Sequence, residues 1–388
     1  MGLRELQLTN FLSYREADVR FGRLTALVGP NASGKSNAAA ALKLLRDIPE
    51  FGLQTALIRR GGFDQLRHRS EGRPYDPKLG VKFEQAYAFG EDDQSVARGQ
   101  YELELASVAG GRYAVKREYG LVELRGERWS FNHQRGKLEI EAEGVEDTRL
   151  GRPPSELPSV PDGQTALSVV VGYGPFFPIW SFFSSLQVVE INPARVRELQ
   201  DPTPGYSFEP DGSNCASVYE GLPAEIRAQL VDELAAIVPS LVNIEVRRFS
   251  NKMTLSFHQR AGDSTRIFLA NQMSDGTLRA FAVLLALYQP SRPSAVLVEE
   301  PEVAIHVGAL RTLVEILDEH SHDSQIVLTT HSADIIDALD VDALRVVWAE
   351  EGVSRIAAVA AHTKETLRRG LITPGELLRA DALDPASS

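Results

Sequence analysis

The chain has 388 residues, 43% of them hydrophobic and 24% charged, the proportions of an ordinary globular protein with ample material for a core. A formal net charge of −12 argues against a surface that embraces DNA throughout, although a local basic patch needs only a few placed Lys and Arg. The single cysteine, Cys215, excludes an intramolecular disulfide, and together with an N-terminus that lacks a signal-peptide core it predicts a reducing, cytoplasmic setting.

In chain order, Leu3 to Asn10 and Ala17 to Phe21 read as a strand pair turning near Ser13-Tyr14. Leu24 to Val28 is a short apolar run, as expected of a buried strand, and Ala38 to Leu45 is a helix that Pro49 should stop. From about Leu79 to Ala142, "KLGVKFEQAYAF", "QYELELASV", "RYAVKREY" and "KLEIEAEG" alternate polar and apolar residues, predicting an inserted antiparallel β subdomain. Residues 145–162 are rich in Pro and charge and read as a loop. Gly163 to Val189 carries no charge. Gly172, Gly174, Pro175 and Pro178 in its middle argue against a membrane span, so burial or a subunit contact is expected.

Gln187 to Ile191 is a further strand and Pro223 to Val238 a helix, apolar at Ile226, Leu230, Leu234 and Ile237. Strands are expected at Asn243 to Arg248, Met253 to Gln259 and Arg266 to Leu269. The chain then alternates: strand Ala295 to Glu299, helix Val307 to His320, strand Gln325 to Thr329, helix Ser332 to Leu339 and strand Leu344 to Ala349. "DALDPASS" reads as a frayed tail, and no repeat or heptad run is present, which excludes a long coiled coil. The expected divisions are 1–64, 65–186, 187–380 and a tail at 381–388.

Gly29, Pro30, Asn31, Ala32, Ser33, Gly34, Lys35 and Ser36, with Asn37 next in line, satisfy at the first eight positions the pattern G-x-x-x-x-G-K-[ST] between that buried strand and that helix. The glycines let successive N–H groups converge on phosphate, Lys35 reaches the β and γ oxygens of ATP, and the Ser36 hydroxyl ligates Mg²⁺. "SAVLVEEPE" ends a strand in two carboxylates. A strand beside the phosphate-loop strand would bring Glu299 to the Mg²⁺ shell and turn Glu300 toward the attacking water. "QIVLTTHSAD" ends likewise at His331, at the sheet edge where α/β ligand sites lie, and predicts a γ-phosphate contact. "NQMSDGTLRAFAVLLAL" is, taken alone, a helix capped by Ser274.

In this order, "LQLTNFLSYREADVRFGRLTALVGPNASGKSN", "INPARVRE" with "DGSN", "MSDGTLR", "EEPE" and "THSADIID" resemble the ABC ATPase head of the RecF and SMC type. They are most similar to the stand-alone bacterial AAA-family ATPases that share that head. The resemblance implies an α/β P-loop fold with a helical lobe and an ATP-sandwiched homodimer. It makes Ser274, Asp275, Gly276 and Thr277 the signature segment acting on the other subunit's γ-phosphate. It also makes Glu299 the Walker B carboxylate, Glu300 the general base, His331 the switch histidine and His306 the residue at the D-loop aspartate position. Gln187 and Gln200 both fall where a Q-loop glutamine is expected. Two roles then stand open. One is a DNA-associated switch in repair or maintenance, with Arg59, Arg60, Arg67 and Arg69 as candidate contacts. The other is an ATP-gated regulator of a partner toxin or nuclease effector in phage defence.

Overall fold

The computed structural model describes residues 2–69, 74–88, 94–144, 157, 159–204 and 207–386. The chain opens with the hairpin β1 (Gly2–Phe11) and β2 (Tyr14–Arg20), then β3 (Leu24–Val28), helix α1 (Lys35–Ile58) and one turn of helix, α2 (Phe63–Leu66). Five strands follow: β4 (Lys78–Ala88), β5 (Gln94–Val108), β6 (Arg112–Leu124), β7 (Glu127–Gln134) and β8 (Lys137–Glu143). Next come α3 (Leu167–Val170), α4 (Phe177–Ser184), β9 (Leu186–Val189), α5 (Pro193–Arg197), α6 (Cys215–Gly221) and α7 (Ala224–Ile237). A three-stranded sheet, β10 (Leu241–Phe249), β11 (Lys252–Ala261) and β12 (Ser264–Leu269), leads into α8 (Asp275–Tyr288). The last part runs β13 (Ala295–Glu299), α9 (Val307–His320), β14 (Gln325–Thr330), α10 (Ala333–Ala338), β15 (Leu344–Glu350), β16 (Val353–Ala358), α11 (Ala361–Arg368) and α12 (Pro374–Arg379).

Thirteen strands form one sheet in the order β8-β7-β6-β5-β4-β1-β2-β16-β15-β3-β14-β13-β9. The stretch β15-β3-β14-β13-β9 is parallel, and its strands are largely apolar, as expected of strands covered on both faces. The strand period of two sorts them between two cores. Ala26, Val28, Val296, Val298, Ile326 and Leu328 face α6 to α10. Leu27, Ala295, Leu297 and Val327 face α1 and α4. The strands expected as an insertion, β4 to β8, are hydrogen-bonded onto β1 and extend the same sheet without a break.

The charge-free segment proves to be the packing of that extension. Phe182 stacks on Phe83 with ring centroids 4.2 Å apart, and Phe131 meets Phe176 edge-on at 5.2 Å. Gly99 and Gly120 leave the room, since a Cβ on either would strike the rings of Phe83 and Phe131. No helix among the described residues is long and apolar enough to cross a membrane.

Three expectations are corrected. Pro49 does not stop the helix. α1 runs on to Ile58 and breaks its geometry only at Gly52 (φ 76°, ψ 160°), where glycine accepts a backbone that other residues resist. The tail is not frayed as far as Ala386. Leu383 is buried, Ala360 N–H donates to the Asp384 carbonyl at 2.9 Å, and Ala386 N–H donates to the Ala358 carbonyl at 2.7 Å. The charge-rich loop falls outside the described residues at 145–156 and 158. The third correction, the order of the central strands, is taken up with the site.

Glu118 is fully buried on β6, where it accepts hydrogen bonds from the backbone N–H groups of Ala166 and Leu167 and from the Tyr101 hydroxyl, so one carboxylate ties the extended sheet to α3. Burial pushes its carboxyl up to about 7, while burial holds the nearby His133, 3.9 Å away, below the usual imidazole range. A raised carboxyl pKa stabilises the fold fully below the unfolded value near 4.5, and that contribution is lost as pH rises toward 7. Glu118→Gln should therefore remove a fall in stability between pH 4.5 and 7. His133 contributes the opposite slope, a loss as pH falls below about 6.5, in both proteins. Urea denaturation of both across that range tests this; parallel pH profiles would mean that Glu118 is ionised in the fold.

Candidate nucleotide site

The phosphate loop, residues 29–34, joins β3 to α1. Gly34 is the residue before the helix at φ 118°, where a Cβ would collide with the Ser354 side chain, and a Cβ on Gly29 would collide with the Val347 carbonyl. Behind the loop, the Tyr14 hydroxyl donates to the Gly34 carbonyl at 3.0 Å. Asn37 and Ser354 both donate to the Ser13 hydroxyl, at 2.6 and 2.7 Å. The "FLSY" turn thus clamps the glycine loop from its far side, a role that no motif around it indicates.

Lys35 Nζ donates to the carbonyls of Gly29 and Pro30, both at 2.8 Å, so the ammonium is held at the loop's mouth by its own backbone. Burial lowers its pKa, and the carboxylates of Glu300 and Glu302 oppose that shift. Ser33 is buried with no partner for its hydroxyl among the described residues. Ser36, the second residue of the helix, is exposed.

Glu299 and Glu300 do end a strand at this edge, but not the strand beside β3. β14 lies between β3 and β13, so the strand carrying His331 is the immediate neighbour of the phosphate loop and Glu299 comes from one strand further. There Lys43, two turns into α1, meets Glu299 Oε1 at 2.5 Å and Glu190 Oε2 at 2.9 Å. Burial raises the Glu299 pKa, and the Lys43 ammonium works against it. Glu300 sits at φ 44°, its N–H donating to the Thr329 carbonyl at 2.9 Å, so the strand ladder ends by turning this side chain out.

Glu302 was not singled out in the sequence, yet it organises the edge. Its side chain is 8% exposed, and its Oε1 accepts from the Thr330 hydroxyl at 2.7 Å and from the His331 N–H at 3.1 Å. His331 Nδ1 lies 3.5 Å from Glu302 Oε1 and 3.7 Å from Glu300 Oε1, between the two carboxylates. Glu302 Oε2 is buried without a partner among the described residues.

Ser274 caps α8 as expected, its Oγ accepting from the Thr277 N–H at 3.3 Å. Asp275 forms an ion pair with Arg197, whose guanidinium also donates to the Met273 carbonyl at 2.8 Å. The "INPARVRE" segment therefore braces the signature segment. Gly276 does permit close approach, but of this chain's own loop: a Cβ there would collide with the Ala304 carbonyl. His306 caps α9, its Nδ1 accepting from the Gly308 N–H at 3.1 Å. Neither Q-loop candidate is free for phosphate. Gln187 bonds to the Val188 and Phe208 carbonyls, Gln200 to the Gly212 carbonyl and the Ala216 N–H.

The arginine cluster divides. Arg46, Arg59 and Arg60 converge on the buried Asp47, at 2.7, 3.3 and 2.9 Å. Arg67 is buried, paired with Asp64 and Asp76 and donating to the carbonyls of Pro74 and Tyr75. Arg60 and Arg67 are thus corrected as DNA contacts: Arg67 is buried and paired, and Arg60 is mostly buried and shares the Asp47 carboxylate with two other arginines, so neither side chain is presented to solvent as the sequence suggested. Arg59, its side chain 48% exposed over the Phe51 ring, and the exposed Arg69 keep access to solvent.

The family model described as "AAA domain, putative AbiEii toxin, Type IV TA system" matches residues 24–88 and 118–337. No curated protein matches the sequence. Among solved structures, an Smc head bound to the C-winged helix domain of ScpA is similar at a TM-score of 0.55 and 16% identity, over 94% of this chain and 100% of that one. The Smc head domain with an extended coiled coil from Pyrococcus furiosus, bound to the C-terminal domain of ScpA, gives 0.55 at 12% identity, over 95% and 99%. The Smc head domain with coiled coil and joint from Pyrococcus yayanosii gives 0.54 at 12%, again over 95% and 99%. A phosphate loop backed by the first hairpin, carboxylates ending β13 and a histidine ending the strand between them fit that head, and the chain belongs to this AAA-domain family, with the fold of an ABC-type P-loop ATPase of the SMC and RecF kind.

Proposed function

We propose that the protein binds and hydrolyses ATP with Mg²⁺ between two copies of itself, and that this clamp gates a macromolecular partner. The observation that carries the reading is the convergence of Lys35, Glu300, Glu302 and His331 at one sheet edge. The residues fit the nucleotide: the orphaned Ser33 hydroxyl and the glycine cradle suit phosphate oxygens, and Lys35 is tied only to carbonyls that it can leave. ATP and Mg²⁺, when bound, supply the transferable phosphoryl group and the charge that bridges its phosphates. Ser36 and Glu299 would hold the cation, for which Glu299 must turn from Lys43. Glu300 accepts the proton of the attacking water, and His331, whose backbone N–H donates to Glu302, sets its ring 3.7 Å from the Glu300 carboxylate.

Ser274 to Thr277 make no hydrogen bond to the phosphate loop among the described residues, their bonds being to one another and to Arg197. A second subunit's nucleotide would give that capped helix start its ligand. A protein partner is favoured over DNA by the internal pairing of Arg60 and Arg67, and the Smc heads bound to ScpA domains supply a precedent among proteins of this fold. Light scattering with ATP and Mg²⁺, set beside phosphate release, tests the clamp. The mass should double and phosphate should appear. In parallel, retention of duplex DNA at low salt with ATP present would return Arg59 and Arg69 to candidacy, and a flattened salt dependence on replacing both would assign them. A protein that neither releases phosphate nor changes mass overturns the reading.

A further inference from the structure

A cavity of about 550 Å³ opens at the mouth of the phosphate loop, and one wall of it is the end of the chain: Gly29, Asn31, Glu302 and His331 line it together with Arg379 and Asp381. The wall is fixed. Thr373 and Glu376 close a reciprocal cap on α12, and Pro374 takes its first position. The Gly375 N–H donates to Asp337 Oδ1 at 2.6 Å, and a Cβ on Gly375 would press on the Ala333 carbonyl, so α12 is seated on the helix that follows His331. Beyond it, the strand-like pairing of Val359 with Pro385 secures the exit. Arg379 itself makes no hydrogen bond or ion pair among the described residues. Three carboxylates, Glu302, Asp334 and Asp381, share its cavity.

We propose that Arg379 is a phosphate-contacting residue of the nucleotide site, a guanidinium supplied by the C-terminal helix of the same chain toward the terminal phosphate of the triphosphate. This rests on the ATPase reading above. An anion entering a cavity with three carboxylates meets repulsion unless a cation answers it, and Arg379 is the arginine placed to do so. The planar fork can contact two oxygens of that terminal phosphate at once, and with a diphosphate the position it would reach is empty.

The full-length protein with Mg²⁺ tests this by calorimetry with ATP and with ADP, and by trapping of ADP with aluminium fluoride. Arg379→Ala should weaken ATP binding about ten- to a hundredfold, leave ADP affinity within about twofold and abolish trapping. Arg379→Lys should recover part of each. Asp381→Asn should shift ATP affinity the other way. Thermal unfolding should be unchanged in Arg379→Ala, because the side chain holds nothing in the ligand-free fold. Wild-type hydrolysis together with unaltered ATP affinity and trapping in Arg379→Ala overturns the proposal alone. A wild type that binds no ATP overturns the ATPase reading and this proposal with it.

Discussion

Lys35→Ala should weaken ATP binding by at least about a hundredfold, the loss of two charge-assisted hydrogen bonds at roughly 1.5–3 kcal/mol each. In the ligand-free chain the ammonium is parked on the Gly29 and Pro30 carbonyls, which point it into the loop's mouth before any phosphate arrives. Alanine leaves the glycine cradle and its backing by Tyr14 intact, so the deficit should be one of charge and not of loop shape. Burial already disfavours the charged lysine here, so the ligand-free variant should unfold near the wild-type temperature. Calorimetric titration with ATP·Mg²⁺ and a thermal melt separate the two effects. Unchanged ATP affinity would remove the phosphate-loop assignment, and a large drop in melting temperature with it would recast Lys35 as a structural residue.

The phosphate loop was legible because its chemistry is local. Two glycines, a lysine and a serine at fixed spacing, between an apolar run and a helix, can hardly serve another backbone shape. Periodicity also located β3, β13 and β14, since buried parallel strands are short apolar runs, and the helix α9 between the last two. It could not place β14 between β3 and β13, because strand order is a property of contacts distant in sequence. The same limit hid Lys43 and Glu302. Lys43 looks like any solvated helix lysine until β9 and β13 bring Glu190 and Glu299 to it. Glu302 looks like the end of an acidic turn until Thr330 and His331 donate to it.

The arginines misled for a related reason. "LIRRGGFDQLRHRS" reads as a basic patch, but Asp47, more than ten residues upstream, and Asp76, beyond it, draw Arg60 and Arg67 inward. The tail misled through its composition: small and acidic residues suggest fraying, but Leu383, backbone bonds to the Ala358 and Ala360 peptides and the pairing of Asp384 with His362 hold it. That anchoring has a consequence for function. α12 is followed by chain bound to β16, so the wall of the nucleotide cavity is built from the sheet's own periphery.

Glu300→Gln should reduce hydrolysis about a hundredfold or more, the range in which a positioned general base contributes, while ATP still binds. Glu300 stands at a left-handed turn that its own N–H bond to Thr329 fixes, so the amide will occupy the same place as the carboxylate. What changes is proton affinity: an amide oxygen takes no proton from the attacking water. Glu299 and Lys35 are untouched, so Mg²⁺ and phosphate keep their ligands. If the proposed clamp holds, each subunit's Ser274 to Thr277 remains docked on the other's unhydrolysed triphosphate, and the closed dimer accumulates. In light scattering with ATP, the variant should show twice its nucleotide-free mass. Ser274→Arg in the same background should return it to the monomer by filling the shared site. Glu302→Gln makes the informative contrast, because Glu302 works by accepting from Thr330 and His331, which an amide oxygen still does. Its turnover should fall less than that of Glu300→Gln. Equal losses would show that the two carboxylates act as one unit around His331, and wild-type turnover in Glu300→Gln would leave Glu302 as the base. A Glu300→Gln protein saturated with ATP yet monomeric would separate the claims: the nucleotide site would stand, and the two-subunit clamp would not.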